Sequence, residues 1–428
     1  MYSVFGEAPG SKEYYVTLAS GIKLVTEQSH LIKIAVKGKE MAHDDLRLAR
    51  AAFFPQINTA YSQNYLAYEP AAKFGPQIVP TSEKDYNEFG FNLYQTLYDF
   101  GANYSNYQAS RSLLEGSEFD IRRTKNQAVL EFITAYFDVL ESRHYVNTAK
   151  KEVNSLNAYF REASALRAQG AVTNAELLAA KVALAQAHQH LSAAKNFESV
   201  AYARLATVLS LPRGTRVSVE TVTFSAPGSP KLLDALDTAQ KRRPEIRVYE
   251  ETIRASAYKE AAQKAGYLPT VFSNGGYSYL DNKYMARDDN WFVKFGVKMN
   301  VFNGGYTYAQ VSRERHRQEQ LIEQKKRLQD EIFIEVKLSH ARLANVLEQA
   351  GVVRQALAVA KENLRVQRAQ YAQGSITNAE MMRAITFFTQ AQFNYWSTAY
   401  ELRRAHARLL YSMGMELDQF YLGPAQQS

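Results

Sequence analysis

The chain repeats itself, and each copy contains a proline-free run too long for an ordinary globular helix. Ala168-Gln169-Gly170-Ala171-Val172-Thr173-Asn174-Ala175-Glu176 recurs as Ala372-Gln373-Gly374-Ser375-Ile376-Thr377-Asn378-Ala379-Glu380, with seven of nine positions identical at an offset of 204 residues. The same offset carries Gly101 onto Gly305. After each of these glycines come 68 residues without proline, Ala102–Gln169 and Tyr306–Gln373. As a single helix each would be roughly 100 Å long, at 1.5 Å per residue. The repeated motif breaks the run, and a shorter helix returns over 174–210 and 378–413. Upstream, Pro55 and Pro269 are equivalent at an offset of 214, so the first copy holds ten extra residues between Pro55 and Gly101. An insertion between two fixed landmarks predicts a loop there.

The expected organisation is thus two repeats, 1–229 and 230–428. Each has a helix (His30–Phe53; Arg247–Gly266) before the proline and a β-hairpin after it, about 55–100 and 269–304. The long helix (102–169; 306–373) and the return helix follow. Pro212-Arg213-Gly214 ends the first return, and a linker through Ala226-Pro227-Gly228-Ser229-Pro230 leads to the second copy. The return helices carry coiled-coil spacing: Leu184, Ala187, Leu191, Ala194, Ala201, Leu205 and Val208 in one. Phe388, Ala391, Tyr395, Thr398, Ala405, Leu409 and Ser412 match them in the other.

The extended segments separate this chain from a water-soluble coiled coil. Between Trp291 and Val301 one parity reads Trp291, Val293, Phe295, Val297, Met299, Val301, and the other Phe292, Lys294, Gly296, Lys298, Asn300. Phe89, Phe91, Leu93 and Leu97 alternate likewise with Gly90, Asn92 and Thr96. Such alternation describes strands with one oily and one wet face, at the length of transmembrane barrel strands. Four strands cannot close a barrel, and lipid does not tolerate open edges, so such a chain must oligomerise. The 28 Tyr and 22 Phe beside 2 Trp gather in these few segments.

Composition removes other classes. No stretch approaches 18 consecutive apolar residues, which excludes a transmembrane helix. With no cysteine there is no disulfide, thiolate metal site, catalytic thiol or lipidated cysteine on this chain. A net charge of +8 is too mild for a nucleic-acid footprint. His188 and His190 are two apart and share no helical face, so no metal, cofactor or catalytic constellation is expected. Met1–Gly10 lacks the basic start and apolar core of an export signal.

With these residues in view, the chain resembles the TolC-like outer-membrane efflux and type I secretion proteins over about residues 12 to 415. The resemblance rests on the two-fold repeat, the strand-end glycines Gly101 and Gly305, and the Gly-x-x-Thr-x-x-acid motif in both copies. It implies an α+β membrane protein. Three chains would give four strands each to a 12-stranded outer-membrane β-barrel, continued by a long α-helical barrel into the periplasm of a Gram-negative cell. The linker and C-terminal segment would form a belt around the helices. The function implied is that of a passive exit duct, not an enzyme. It would be joined through a periplasmic adaptor to an inner-membrane ABC or proton-driven transporter. A soluble long-helix scaffold is the competing reading; it explains the helices and leaves the strands unexplained.

The resemblance also implies roles for particular residues. Trp291, Val293, Phe295, Val297, Phe89 and Phe91 would face lipid. Gly170, Val172, Thr173, Gly374, Ile376 and Thr377 would form the periplasmic tip where adaptors dock. Glu380, Arg383, Glu176 and Tyr371 would form the gate. Arg383 stands where the best-known member has an acid, and Ile376 where it has an arginine, so a mixed-charge constriction of Glu380–Arg383 sets is expected. Read locally, Thr173 to Glu176 and Thr377 to Glu380 are also capping boxes, with Gly170 and Gly374 ending the preceding helices.

Overall fold

A computed structural model describes residues 14–170, 172–212, 214–221 and 228–423. The expectations for Met1–Gly10 and for Arg213, Ala226 and Pro227, and the motif residue Ala171, lie outside these. In chain order the strands are β1 (Tyr14–Val16), β2 (Gln56–Tyr65), β3 (Ala71–Phe74), β4 (Gln77–Pro80), β5 (Asp85–Tyr98), β6 (Val217–Val219), β7 (Thr270–Asp281) and β8 (Asp289–Lys298). The helices are α1 (Leu18–Gln28), α2 (His30–Ala51), α3 (Ala102–Ala168), α4 (Asn174–Val208), α5 (Leu232–Arg242), α6 (Pro244–Ala265), α7 (Tyr306–Ala372), α8 (Asn378–Ser412) and α9 (Leu417–Leu422). Both long runs are single α-helices of 67 residues. The chain forms two compact units, and each draws on both sequence repeats: 1–36, 120–246 and 327–428 in one, 37–119 and 247–326 in the other.

The first unit is helical. Its core is the middle of α3, where Phe132, Ile133, Tyr136, Phe137 and Leu140 are fully buried against Ile22 and Val25 of α1, Leu205 and Leu209, and Leu417 of α9. Asn126 clamps the C-terminal segment: its amide donates to the Met415 carbonyl (2.8 Å) and accepts from the Leu417 N–H (2.9 Å). β1 and β6 pair in parallel, and β6 is tied to α3 where Arg143 donates to the Val219 carbonyl (2.9 Å). The sequence expectation held none of α1, α5, β1 or β6; all are short.

On α4 the seam is a strict heptad of alanines, with Ala180, Ala187, Ala194 and Ala201 all buried. α8 is broader, burying Met381, Ile385, Tyr400, Leu402, Ala407 and Leu410 besides Ala405 and Leu409. The reason is that α8 has neighbours on two sides. Arg404 reaches Asp138 (3.1 Å) and Glu141 (2.7 Å) on α3, while Glu401 pairs with Arg342 of α7 (2.9 Å). α8 therefore packs on both α7 and α3, and α4 packs on α3 and meets α8 near their starts; α7 and α4 are the flanks of the set, α7 partly covered by α5.

The second unit contains one antiparallel four-stranded sheet, ordered β2-β5-β7-β8, in which the central β5–β7 pairing joins the two repeats. Register places Ile57, Leu93, Gly275 and Val293 in one row, and Thr59, Phe91, Tyr277 and Trp291 in the next. These rows share the apolar face. Phe91 meets the Trp291 ring edge-on at 5.5 Å and Tyr277 at 6.1 Å. Gln56, Asn92, Asn274, Lys294 and Lys298 line the opposite face, where the Asn92 and Asn274 amides bond each other reciprocally (2.9 and 3.2 Å). Phe292 falls on this wetter face because its ring covers Gly276: a Cβ there would lie 2.9 Å from it. Gly296 is covered in the same way by Phe272. The ten-residue insertion is not an irregular loop but a second small ladder, β3–β4, turning at Gly75-Pro76.

The tightest contact in the helical core is Gly21 of α1, where an added Cβ would sit 2.0 Å from the Phe132 ring. Gly21→Val is expected to destabilise the protein by about 1–3 kcal/mol through overpacking. Phe132→Leu in the same chain should recover part of that loss, giving a coupling of about 0.5 kcal/mol or more in denaturant midpoints.

Candidate functional site

The long and return helices meet at two turns built from the repeated motif. Gly170 (φ +76°) and Gly374 (φ +71°) adopt the left-handed conformation that ends a helix at low cost only for glycine. After Gly374 the Gly374 N–H donates to the Tyr371 carbonyl (2.9 Å) and the Ser375 N–H to Gln370 (2.9 Å), a complete Schellman closure. Both capping boxes are present. Thr173 N–H donates to Glu176 Oε2 (2.7 Å) and Thr377 N–H to Glu380 Oε2 (2.8 Å). The Glu176 and Glu380 N–H groups each donate back to the threonine hydroxyl at 3.3 Å.

The two turns match locally and differ in their surroundings. Asn378, the first residue of α8, is buried, while its duplicate Asn174 is exposed. Tyr371 donates to Asn378 Oδ1 (2.6 Å), and Tyr159 of α3 donates to the Asn378 carbonyl (3.2 Å). The Asn378 side chain also hydrogen-bonds Glu176 at the start of α4. One asparagine thus joins groups from α3, α4, α7 and α8, with the Tyr159 and Tyr371 rings 5.6 Å apart beside it. Tyr371 and Glu176 were expected to act together; the structure links them through Asn378. Burial pushes both tyrosine hydroxyls above their usual range, so they remain donors.

Sequence reasoning missed Asn378 because the motif around it is the same in both copies. The available signal lay outside the motif: at the 204 offset Tyr371 corresponds to Arg167 and Tyr159 to Asn363. Only the second turn has the aromatic partners.

The remaining residues fall on either side of this cluster. Ile376 is half-buried and packs on the tip core of Val153, Leu156, Ala163, Leu364 and Met381. Val172 is half-exposed. A cleft of about 560 Å³ between the starts of α4 and α8 is lined by Glu176, Asn378, Met382, Arg383 and Phe387 among others. Arg383 is exposed and donates from Nε to the Ala379 carbonyl (3.3 Å), so within one chain it is engaged with its own helix. Among the described residues no three His, Asp or Glu converge as a metal site.

Glu380 is held below the usual carboxylate range by the Thr377 N–H and hydroxyl, with Arg383 adding to the effect. Glu176 is lowered in the same way by Thr173. A depressed folded value means that each cap contributes fully above the unfolded pKa and is lost as pH falls through the folded one. Thr377→Ala is expected to cost about 1 kcal/mol. Glu380→Gln, which keeps an acceptor at the third position, should abolish the acid sensitivity of this turn. Amide exchange across 377–381, corrected for its intrinsic pH dependence, reads both.

Known proteins agree with this architecture. The family model described as outer membrane efflux protein matches residues 21–210 and 235–415. The outer membrane efflux protein BepC of Brucella suis is 22% identical over 394 residues, covering 91% of this chain and 83% of that protein. The alkaline protease secretion protein AprF of Pseudomonas aeruginosa is 23% identical over 319 residues, 71% of this chain and 64% of AprF. Among solved structures, the Campylobacter jejuni outer membrane channel CmeC superposes with a TM-score of 0.81 at 16% identity, covering 93% of this chain and 85% of CmeC. The channel CusC gives 0.80 at 17%, covering 96% of both chains. The chain belongs to the outer membrane efflux protein family, whose members are non-enzymatic outer-membrane ducts for efflux or secretion.

Proposed function

We propose that three copies of this chain assemble edge to edge, β8 of one against β2 of the next, into a closed 12-stranded barrel in the outer membrane. The helical parts form the conduit below it. One observation carries this reading: a four-stranded sheet whose two outer strands lack partners and whose apolar face is uncovered. Trp291, Val293, Phe295 and Val297 are each 67–74% exposed, and with Phe89 and Phe91 they make the lipid-facing band. Strand directions alternate, so every junction in the ring is antiparallel. The helices support the same closure. Flank α7 exposes Leu338, Val352, Val359 and Val366 at heptad intervals, and flank α4 exposes Leu178, Val182 and Val200.

The two halves of the sequence, 1–229 and 230–428, act as duplicated units that make the trimer pseudo-six-fold. The tip turns, with Gly170, Val172, Thr173, Gly374, Ile376 and Thr377, receive a periplasmic adaptor. That adaptor connects the duct to an inner-membrane ABC or proton-driven transporter, which supplies the energy. The substrate passes through a constriction where Glu380 and Arg383 from three chains alternate. Tyr371, Asn378 and Glu176 hold that tip closed within each chain.

The purified protein in detergent should have a protein mass of about 145 kDa, three chains of 48.4 kDa, and should precipitate when detergent is withdrawn. A monodisperse monomer in plain buffer would overturn the assembly. In planar bilayers Glu380→Gln is expected to lower cation preference, and an unchanged reversal potential would remove Glu380 from the constriction. Asn378→Leu, which removes the side-chain partner of Tyr371 and Glu176 and leaves the backbone carbonyl that accepts from Tyr159, should raise open-channel conductance without changing the trimer.

A further inference from the structure

The insertion that lengthens the first hairpin has no counterpart in the second. It begins where the main ladder ends, at the end of the sheet away from the helices. Beyond the Tyr65–Asp85 pair, the Leu66 N–H donates to the Lys84 carbonyl (2.9 Å) and the Thr81 N–H to Pro70 (2.8 Å). β3 and β4 then pair from Ala71–Pro80 to Phe74–Gln77. The first hairpin therefore continues past the Tyr65–Asp85 pair for nine residues on the outgoing side and eight on the returning side, about 30 Å if fully extended. The second ends in the short turn 282–288.

This ribbon is anchored on one side only. Asn282, itself 2% exposed, donates to Ser82 Oγ (2.5 Å) and accepts from the Glu83 N–H (3.3 Å). Lys283 pairs with Glu83 at 3.1 Å. These bonds clasp the β4–β5 side of the ribbon to the β7 side of the neighbouring turn. Ile78 and Val79 of β4 are exposed on the clasped strand, and the opposite sides carry the aromatic groups and a thioether. Tyr68, on the path from β2 to β3, is 86% exposed, and Phe74 on β3 is also bare. Tyr284 and Met285 are exposed on the path from the turn toward β8. Pro70, Pro76 and Pro80 remove backbone donors from the ribbon, so it is a poor template for added strands, and its contacts must be made by side chains.

β2 and β8 are the two edges of the sheet. In a head-to-tail ring, the group that continues one edge faces the group that continues the other. On the trimer reading, which this inference requires, the next copy thus occupies the open side of the ribbon. We propose that Tyr68 and Phe74 of one chain pack against Tyr284 and Met285 of the next. This forms an inter-subunit collar at the outward mouth, made by the inserted ribbon and separate from strand pairing. Aromatic rings and a thioether form a suitable contact set.

The chain has no cysteine, so an introduced pair reports on itself alone. Tyr68→Cys with Met285→Cys is oxidised in the detergent-solubilised particle and its mass is measured in parallel. The expected result is a shift from monomer to covalent dimer and trimer on a denaturing gel, absent from either single variant. A trimer-sized particle that stays monomeric on the gel, with thiols free or joined within the chain, overturns the collar and leaves the barrel standing. A particle of monomer mass overturns both. Because cysteine at these positions could perturb the turns, Phe74→Cys with Tyr284→Cys is run as a second pair. A ladder from neither pair in a trimer-sized particle refutes the contact.

Discussion

The unpaired backbone of β2 and β8 is the constraint on which the rest of this molecule depends. A buried N–H or C=O without a partner costs several kilocalories per mole in an apolar medium, and in lipid no water is present to supply one. A sheet with an oily face and two open edges is therefore an unfinished object in a membrane. The sequence carries the consequence at every level. Large aromatics sit on the face that lies outward, glycines lie beneath aromatic rings on the other face, and the two hairpins pair with each other through β5 and β7. In the helical unit the exposed apolar residues of α4 and α7 are the same kind of incompleteness expressed in side chains. On the proposed trimer, further copies of the same chain would complete both.

Duplication supplies this economically, and divergence then makes the copies different. The motif at 168–176 and 372–380 builds the same turn twice, down to matching hydrogen-bond lengths in the two capping boxes. Yet Asn174 faces solvent and Asn378 is buried beneath two tyrosines. A local motif settles local geometry. Its environment is settled by residues many turns away, here Tyr159 and Tyr371. Releasing the second turn requires breaking hydrogen bonds in a dry setting, while the first is held by its own cap. The two turns thus differ in burial and hydrogen bonding although their sequences barely differ.

The long-range periodicities were legible in the sequence because they are redundant. Sixty-seven helical residues repeat one statement about twenty times, and the strand from Trp291 to Lys298 alternates with Phe292 alone out of pattern. The capping boxes were legible because their chemistry is contained in four residues. The short elements α1, α5, β1 and β6 were not, since three to eleven residues give too few periods to stand out. The inserted ribbon was visible only as an offset of ten residues; Lys73 between alanines and Phe74 gives no clean two-residue rhythm. The role of Asn378 could not be read from its motif, because what distinguishes it is tertiary.

The polar face of the sheet bears on how such a protein moves cargo without performing chemistry. Asn92, Asn274, Lys294 and Lys298 present amides and amines that trade hydrogen bonds with water at small net cost. Among the described residues no three His, Asp or Glu converge to hold a metal ion. A surface that binds nothing strongly is what transport by a distant pump requires, since a tight site along the path would become the slowest step. Selectivity is then left to the narrowest place. There the available groups are the carboxylates of Glu176 and Glu380, kept ionised by their own helix caps, and the guanidinium of Arg383. The same hydrogen bonds that end the helices therefore fix the charge at the tip. Capping and charge are two consequences of one arrangement, and the proposed gate would draw on both.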